Sequence, residues 1–291
     1  MFTRNAEKNI VIFMLFFLFT TIFTVSPLLS KSRNKKNTLD SKEFKILLKA
    51  IKFKNPTAGA STFLQLVINL AAEHGIPFSA GPGRESSITR EVIFLDTRDF
   101  DFYKNSYILR KRYRSSDNKH DVVLKYRAKS FQDAENANVE ATSIFKGKKK
   151  FEEDINCKTD NSFKSVFSLS NKIKSDIKKI PETIEGLSKV FPIIGKIKIP
   201  GNSKVTTVNN RKIIEKKYSP GLLYFSNKVK GETALSIWYL NEKVLVAEFS
   251  FTVKLKSKIP DEVINNFFLE LSKRSVHWKE KGTTKTSLIY Q

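Results

Sequence analysis

The chain has 291 residues, 40% of them hydrophobic and 24 of them Phe, enough to fill a sizeable core and to exclude a globally disordered protein. Fifty-two Lys and Arg stand against 29 Asp and Glu, a formal charge of +23, so the partners attracted are polyanions: phosphate chains, nucleic acid or anionic lipid. The single Cys157 excludes an intrachain disulfide, and without CxxC pairs or clustered His (His74, His120 and His277 are scattered) the composition argues against a zinc site.

Residues 1–30 have the layout of a secretory signal peptide or an N-terminal membrane anchor. Arg4 and Lys8 precede an uncharged apolar run of 16 residues, "IVIFMLFFLFTTIFTV". That run is shorter than the roughly 20 residues of a spanning helix. The expected location is secreted, periplasmic or otherwise extracytoplasmic, with the protein either released or held at the membrane by its N-terminus. Residues 31–42 read as a polar linker, and 43–291 as one folded domain.

Within that domain "FKILLKAIKFK", residues 44–54, reads as a strand. "STFLQLVINLAAEHG" carries apolar residues at 63, 64, 66, 67, 70 and 71, with Gly75 as C-cap, and predicts an amphipathic helix. "SAGPGRESS" reads as a loop. Strands follow over 90–96, 106–114 and 121–128, the last two joined by a hairpin turn at "NKHD". A polar loop over 130–148 leads to a strand at 149–155. Residues 161–191, interrupted by Pro181, read as two helices. Strands are expected over 193–199, 204–217, 234–240 and 243–255, then a helix in "PDEVINNFFLELSKR", with Pro260 near its start and Asp261 in its first turn. Many strands with grouped helices point to the α+β class, an antiparallel sheet or barrel with helices outside.

Strand alternation then assigns faces. Side chains two apart point the same way. Arg110, Arg112 and Arg114 share one face, opposite Leu109, Lys111 and Tyr113. Lys125 and Arg127 share a face of the next strand, and pairing the two strands brings five cations together. Like charges that close are costly unless an anion sits among them. A barrel of about eight strands could turn them inward around a polar ligand. Lys150, Glu152 and Asp154 alternate along another strand, Arg211 shares a face with Thr207 and Asn209, and Glu248 lies opposite the apolar face of Leu245, Ala247, Phe249, Phe251 and Val253. Arginine forks and lysine point charges in excess over carboxylates match a phosphate chain. Asp96 and Asp99 read as turn formers.

The run "FLDTRDFDFYKNSYILRKRYR" followed by "DVVLKYR" resembles the core signature of the triphosphate tunnel metalloenzymes, the CYTH superfamily. Phe94 to Thr97 stand for the family's Y-F-D-T, Leu109, Arg110 and Arg112 for L-R-x-R, and Lys125 and Arg127 for the K-x-R of the following strand. Lys150, Glu152 and Asp154 resemble its R-x-E-x-E strand, Arg211 its later basic position, and Glu248 its closing acidic strand. The resemblance implies an eight-stranded antiparallel tunnel with flanking helices. It implies that Arg110, Arg112, Lys125, Arg127, Lys150 and Arg211 bind a triphosphate or polyphosphate. It also implies that Glu152, Asp154 and Glu248 bind Mg²⁺ or Mn²⁺. Members hydrolyse triphosphates, cyclise ATP or build polyphosphate, so hydrolysis, binding without turnover and polyphosphate synthesis are all expected readings. A basic surface for nucleic acid or anionic lipid is the reading outside the family. The sequence departs from the family at the first strand, where E-x-E-x-K is expected and Glu43 is the only acid, and at the last, where Ser250 follows Glu248. That leaves carboxylates for one ion rather than two.

Overall fold

The computed structural model describes residues 37–158, 160–175, 181–256, 260–281 and 283–291. The expected leader over 1–30, and the linker up to residue 36, lie outside the described residues.

Nine strands close into a barrel: β1 (Ser41–Leu48), β2 (Phe78–Asp96), β3 (Tyr107–Arg114), β4 (Lys119–Ala128), β5 (Gly147–Cys157), β6 (Phe163–Ser175), β7 (Thr206–Tyr224), β8 (Lys230–Leu240) and β9 (Lys243–Lys254). Their order around the wall is β1-β5-β6-β4-β3-β2-β7-β8-β9. All neighbours run antiparallel except β1 and β5, which pair in parallel with Ser41 opposite Glu152 and Lys45 opposite Asn156. The expectation of eight antiparallel strands is thus corrected to nine with one parallel seam, for a topological reason. A closed ring of alternating directions needs an even number of strands, so an odd strand forces one parallel pair.

The odd strand is β6. Residues 161–191 were expected to be helical, yet "FKSVFSLSNKIKS" forms β6, with Leu169 and Ile173 outward and Ser168 and Ser170 inward. Serines on one face weakened the strand signal, because they carry none of the β-branched bulk that usually marks one. The expected strand at 193–199 is instead a 3₁₀ turn at Pro192–Lys196, after the short helix α4 (Ile184–Ser188). "SAGPGRESS" belongs to β2, paired to β7 through two register shifts.

Two helices cover one outer side. α1 (Pro56–Glu73) starts at Asn55, whose side chain accepts from the Ala58 N–H, and has proline in its first turn. α5 (Asp261–Arg274) carries Asp261 and Glu262 at its positive end and Lys273 and Arg274 at its negative end. Both pack on the outward faces of β1, β8 and β9. There the Phe44 and Phe251 rings stack at 4.8 Å, with Phe267 and Phe268 edge-on to Phe251. The same alternation that puts Phe44, Ile46 and Leu48 of β1 in this core turns Ser41, Glu43 and Lys45 into the barrel. A second core lies outside β3 to β6, under the segments around 131–145 and 184–199.

A third apolar cluster fills one end of the barrel. Val92 and Phe94 of β2, Ile108 of β3, Ile213 of β7, Trp238 of β8 and Val246 of β9 meet there. The C-terminal helix α6 (Lys285–Tyr290) closes this end. Its Ile289 and Tyr290 are buried, and the Tyr290 ring stacks on Tyr103 at 4.1 Å. The interior is therefore a cup with one charged mouth.

Candidate anion-binding site

The cup has a volume of about 380 Å³. Charged side chains reach it from every strand except β6, and from α6. Among the described residues ten cations line it: Lys45, Arg90, Arg110, Arg112, Lys125, Arg127, Lys150, Lys217, Lys254 and Lys285. Six acids face them, Glu43, Glu152, Asp154, Glu215, Glu232 and Glu248, leaving a surplus of four positive charges.

Each inner carboxylate is held by a cation. Lys45 Nζ lies 2.7 Å from Asp154 and 2.9 Å from Glu43. Lys150 reaches Glu152 at 2.6 Å and Lys285 reaches Glu248 at 2.7 Å. Asp154 also faces Arg127 at 3.5 Å and Lys125 at 4.0 Å. Burial alone would raise the carboxyl pKa values, but Lys45 holds Glu43 down at about 2, and Lys45, Lys125 and Arg127 together depress Asp154. Lys45 itself is raised, its burial outweighed by Asp154 and Glu43. On β7, Glu215 is buried, accepts from Trp238 Nε1 at 3.0 Å and sits 3.8 Å from Arg90. Burial works against its charge, yet Arg112, Lys285 and the indole N–H bring it to about 2.

The opposite wall has cations without such partners. Arg110 and Arg112 make no ion pair among the described residues, and their buried Nε groups lack an acceptor, as do those of Arg90 and Arg127. The Arg110 guanidinium lies over the Phe94 ring at 5.9 Å. Desolvation first, then repulsion by Arg112, lowers its pKa well below the ordinary arginine value. Lys125 is lowered to about 8 by burial and by Arg127 and Lys45, against the pull of Asp154 and Glu152. This wall is an array of cations whose own acids do not satisfy it.

Of the residues expected to bind an anion or metal, Arg110, Arg112, Lys125, Arg127, Lys150, Glu152, Asp154 and Glu248 all face the cup. Arg211 does not line it. The register of β2 and β7 slips between Ile93 and Leu95, and Asn209 and Asn210 take left-handed φ values of 48° and 51° there. Past this bulge Arg211 keeps the inward parity of Ile213 and Glu215, but it lies at the apolar, closed end of the barrel, beyond the cup. Its guanidinium donates instead to the Leu288 and Ile289 carbonyls, fastening α6 across the barrel end. Asp96 is a turn former, as expected, accepting from the N–H groups of Thr97, Phe102 and Tyr103.

Residues unassigned by sequence reasoning complete the charged lining: Glu43, Lys45, Arg90, Glu215, Lys217, Glu232, Lys254 and Lys285. Beginning the first strand at Ser41 rather than 44 would have exposed a Ser-x-Glu-x-Lys alternation, the family's opening pattern with serine in its first acidic place. Arg90 and Glu215 face each other across β2 and β7, a pairing visible only once those strands are neighbours. Lys285 carried no local signal.

The acids do not stand ready for a bare metal ion. Among the described residues no three His, Cys, Asp or Glu side chains converge closely enough to hold one. Ser41, in the missing acid's place, donates a long 3.4 Å hydrogen bond to Glu152. The arrangement fits Mg²⁺ or Mn²⁺ poorly, and fits an anion well.

No family model and no curated protein matches the chain. Among solved structures it is similar to a Hippeastrum protein described as an adenylyl cyclase candidate with a dominant triphosphatase activity. That match has 12% identity and a TM-score of 0.44, and covers 85% of this chain and 93% of the other. A Bacillus halodurans protein described as an adenylate cyclase candidate matches at 13% identity and a TM-score of 0.44, over 87% of this chain and 98% of the other. The closed barrel, with the residues of the motif strands turned into a charged interior, is the architecture that the motif resemblance implied, with nine strands in place of eight.

Proposed function

We propose that the cup binds a linear triphosphate, or the end of a polyphosphate chain, and that the cationic wall of β3 and β4 grips it. The observation that carries this reading is the pair Arg110 and Arg112, two inward guanidiniums that make no ion pair among the described residues, in a cup with four surplus positive charges. A linear triphosphate has one strongly acidic oxygen per phosphorus and two terminal second ionisations, the first near pH 6 and the last pushed above neutrality by the charge already present, so it carries about four negative charges near neutrality. It matches the surplus in number and suits arginine forks in geometry. The apolar far end, shut by α6, favours a short chain or a chain end over a threaded polymer.

Full-length protein is tested by thermal melting with tripolyphosphate, pyrophosphate, ATP and single-stranded DNA. Tripolyphosphate should raise the melting temperature most, and Arg112→Ala should remove the effect. Equal stabilisation by all polyanions, abolished by moderate salt, would point to a nonspecific basic surface instead.

A second reading is hydrolysis of the same ligand with Mg²⁺ or Mn²⁺, supported by Glu152, Asp154 and Glu248 facing one interior. Phosphate release that requires added Mn²⁺ would establish it. From the leader read in residues 1–30 we propose that either activity lies outside the cytoplasm, a reading checked by fractionating cells that express the tagged full chain.

A further inference from the structure

We infer that this cup takes its polyanion without a divalent cation, because ammonium groups of the chain already occupy the carboxylates that would hold one. The inference rests on the anion-binding reading above and adds how the site's charge is balanced.

Three lysines do this. Lys45 bridges carboxylates from two neighbouring strands, Glu43 on β1 at 2.9 Å and Asp154 on β5 at 2.7 Å. Lys285 arrives from the helix that shuts the barrel and meets Glu248 at 2.7 Å while lying 5.0 Å over the Trp238 ring. Lys150 meets Glu152 at 2.6 Å. A divalent ion would need oxygen ligands at about 2.1 Å in a near-octahedral set. To reach Glu43 and Asp154 together it would have to expel the Lys45 ammonium. The Lys45 side chain is only 11% exposed, and its close acid partners are these same two carboxylates. An expelled ammonium would be left buried and unpaired, which is costly. Ser41, hydrogen-bonded to Glu152, adds no charge to attract a second cation.

The charge count agrees. The surplus of four cations meets the roughly four charges of a triphosphate. A divalent ion added to the same cup would leave an excess of positive charge, whereas the lysine-clamped acids leave Arg110 and Arg112, which make no ion pair among the described residues, to close on phosphate oxygens.

Binding of tripolyphosphate to the full-length wild-type protein is measured by calorimetry and thermal melting in EDTA and in Mn²⁺. The affinity should be no higher in Mn²⁺ than in EDTA, and lower where Mn²⁺ exceeds the phosphate, because tripolyphosphate chelates the ion and loses negative charge that the cup would otherwise meet. Without phosphate, the electron paramagnetic resonance signal of equimolar Mn²⁺ should remain that of the free ion. Lys45→Gln should weaken binding in EDTA by about tenfold, and Mn²⁺ should restore it, since Glu43 and Asp154 are then free to hold the ion. Binding that requires Mn²⁺ in the wild type would overturn the inference and leave the anion-binding reading standing. Tight Mn²⁺ capture without phosphate, or unchanged binding by Lys45→Gln in EDTA, would also overturn it. Absence of binding under both conditions would sink the anion-binding reading and this inference with it. The wild-type measurements decide the matter if the variant does not fold.

Discussion

Arg110→Met separates a site built for a ligand from a site built for stability. The guanidinium faces Arg112, Arg127 and Arg90 with only Glu215 in partial compensation, and its Nε has no acceptor. A charge withdrawn from water without a partner costs several kcal/mol when fully buried. Arg110 is half-buried and borders the solvent of the cup, so we discount this to about 1–2 kcal/mol. Its contact with Phe94 at 5.9 Å returns about 0.5 kcal/mol, which methionine partly replaces by packing on the same ring. Removing the charge while keeping the bulk should therefore stabilise the free protein by about 1 kcal/mol, raising its melting temperature by about 2–4 °C. The same change should abolish the stabilisation given by tripolyphosphate. Differential scanning calorimetry with and without the ligand reads both effects. A lower melting temperature for the variant without ligand would refute the reasoning, since it would show that Arg110 is already satisfied within the fold.

Further expectations concern pH and the closed end. Lys125 has a pKa of about 8 in the fold against 10.5 as the ordinary value, so the unfolded chain binds the extra proton between these values. Stability of the free protein should rise as pH climbs through that window, while tripolyphosphate affinity, which needs the ammonium, falls by up to about tenfold per pH unit; Lys125→Met should flatten both curves in calorimetric titrations. Glu215, at about 2 against 4.5, stabilises the fold above pH 4.5 and loses that contribution as pH falls toward 2. Glu215→Gln should cost about 3 kcal/mol at neutral pH in urea unfolding and weaken the acid sensitivity between those values. Tyr290→Ala deletes a buried ring stacked on Tyr103 and edge-on to Phe94 and Phe100, and should cost about 3 kcal/mol in the same assay.

Strand alternation was enough to place Arg110 with Arg112, Lys125 with Arg127, and Lys150 with Glu152 and Asp154 on inward faces, and Glu248 opposite an apolar one. Alternation is a property of each strand alone, with a period of two that the residues carry wherever the strand goes. Element type was less clear where that contrast faded. In β6 the inward serines are small and polar, and a run of Phe, Leu and Ile among lysines suits a helix almost as well. The glycine- and proline-bearing start of β2 looked like a loop because its pairing with β7 is held through irregular register.

Tertiary structure decided what the residues themselves could not. The parallel seam between β1 and β5 sets Glu43 beside Asp154, and so puts Lys45 between them. Helix α6 engages Arg211 at the closed end, away from the lining, and brings in Lys285 from far away in sequence. The face of a strand is written locally by neighbours two residues apart. Which faces meet, and which charges neutralise one another, depends on ring closure between segments whose contacts leave no periodic mark in the chain.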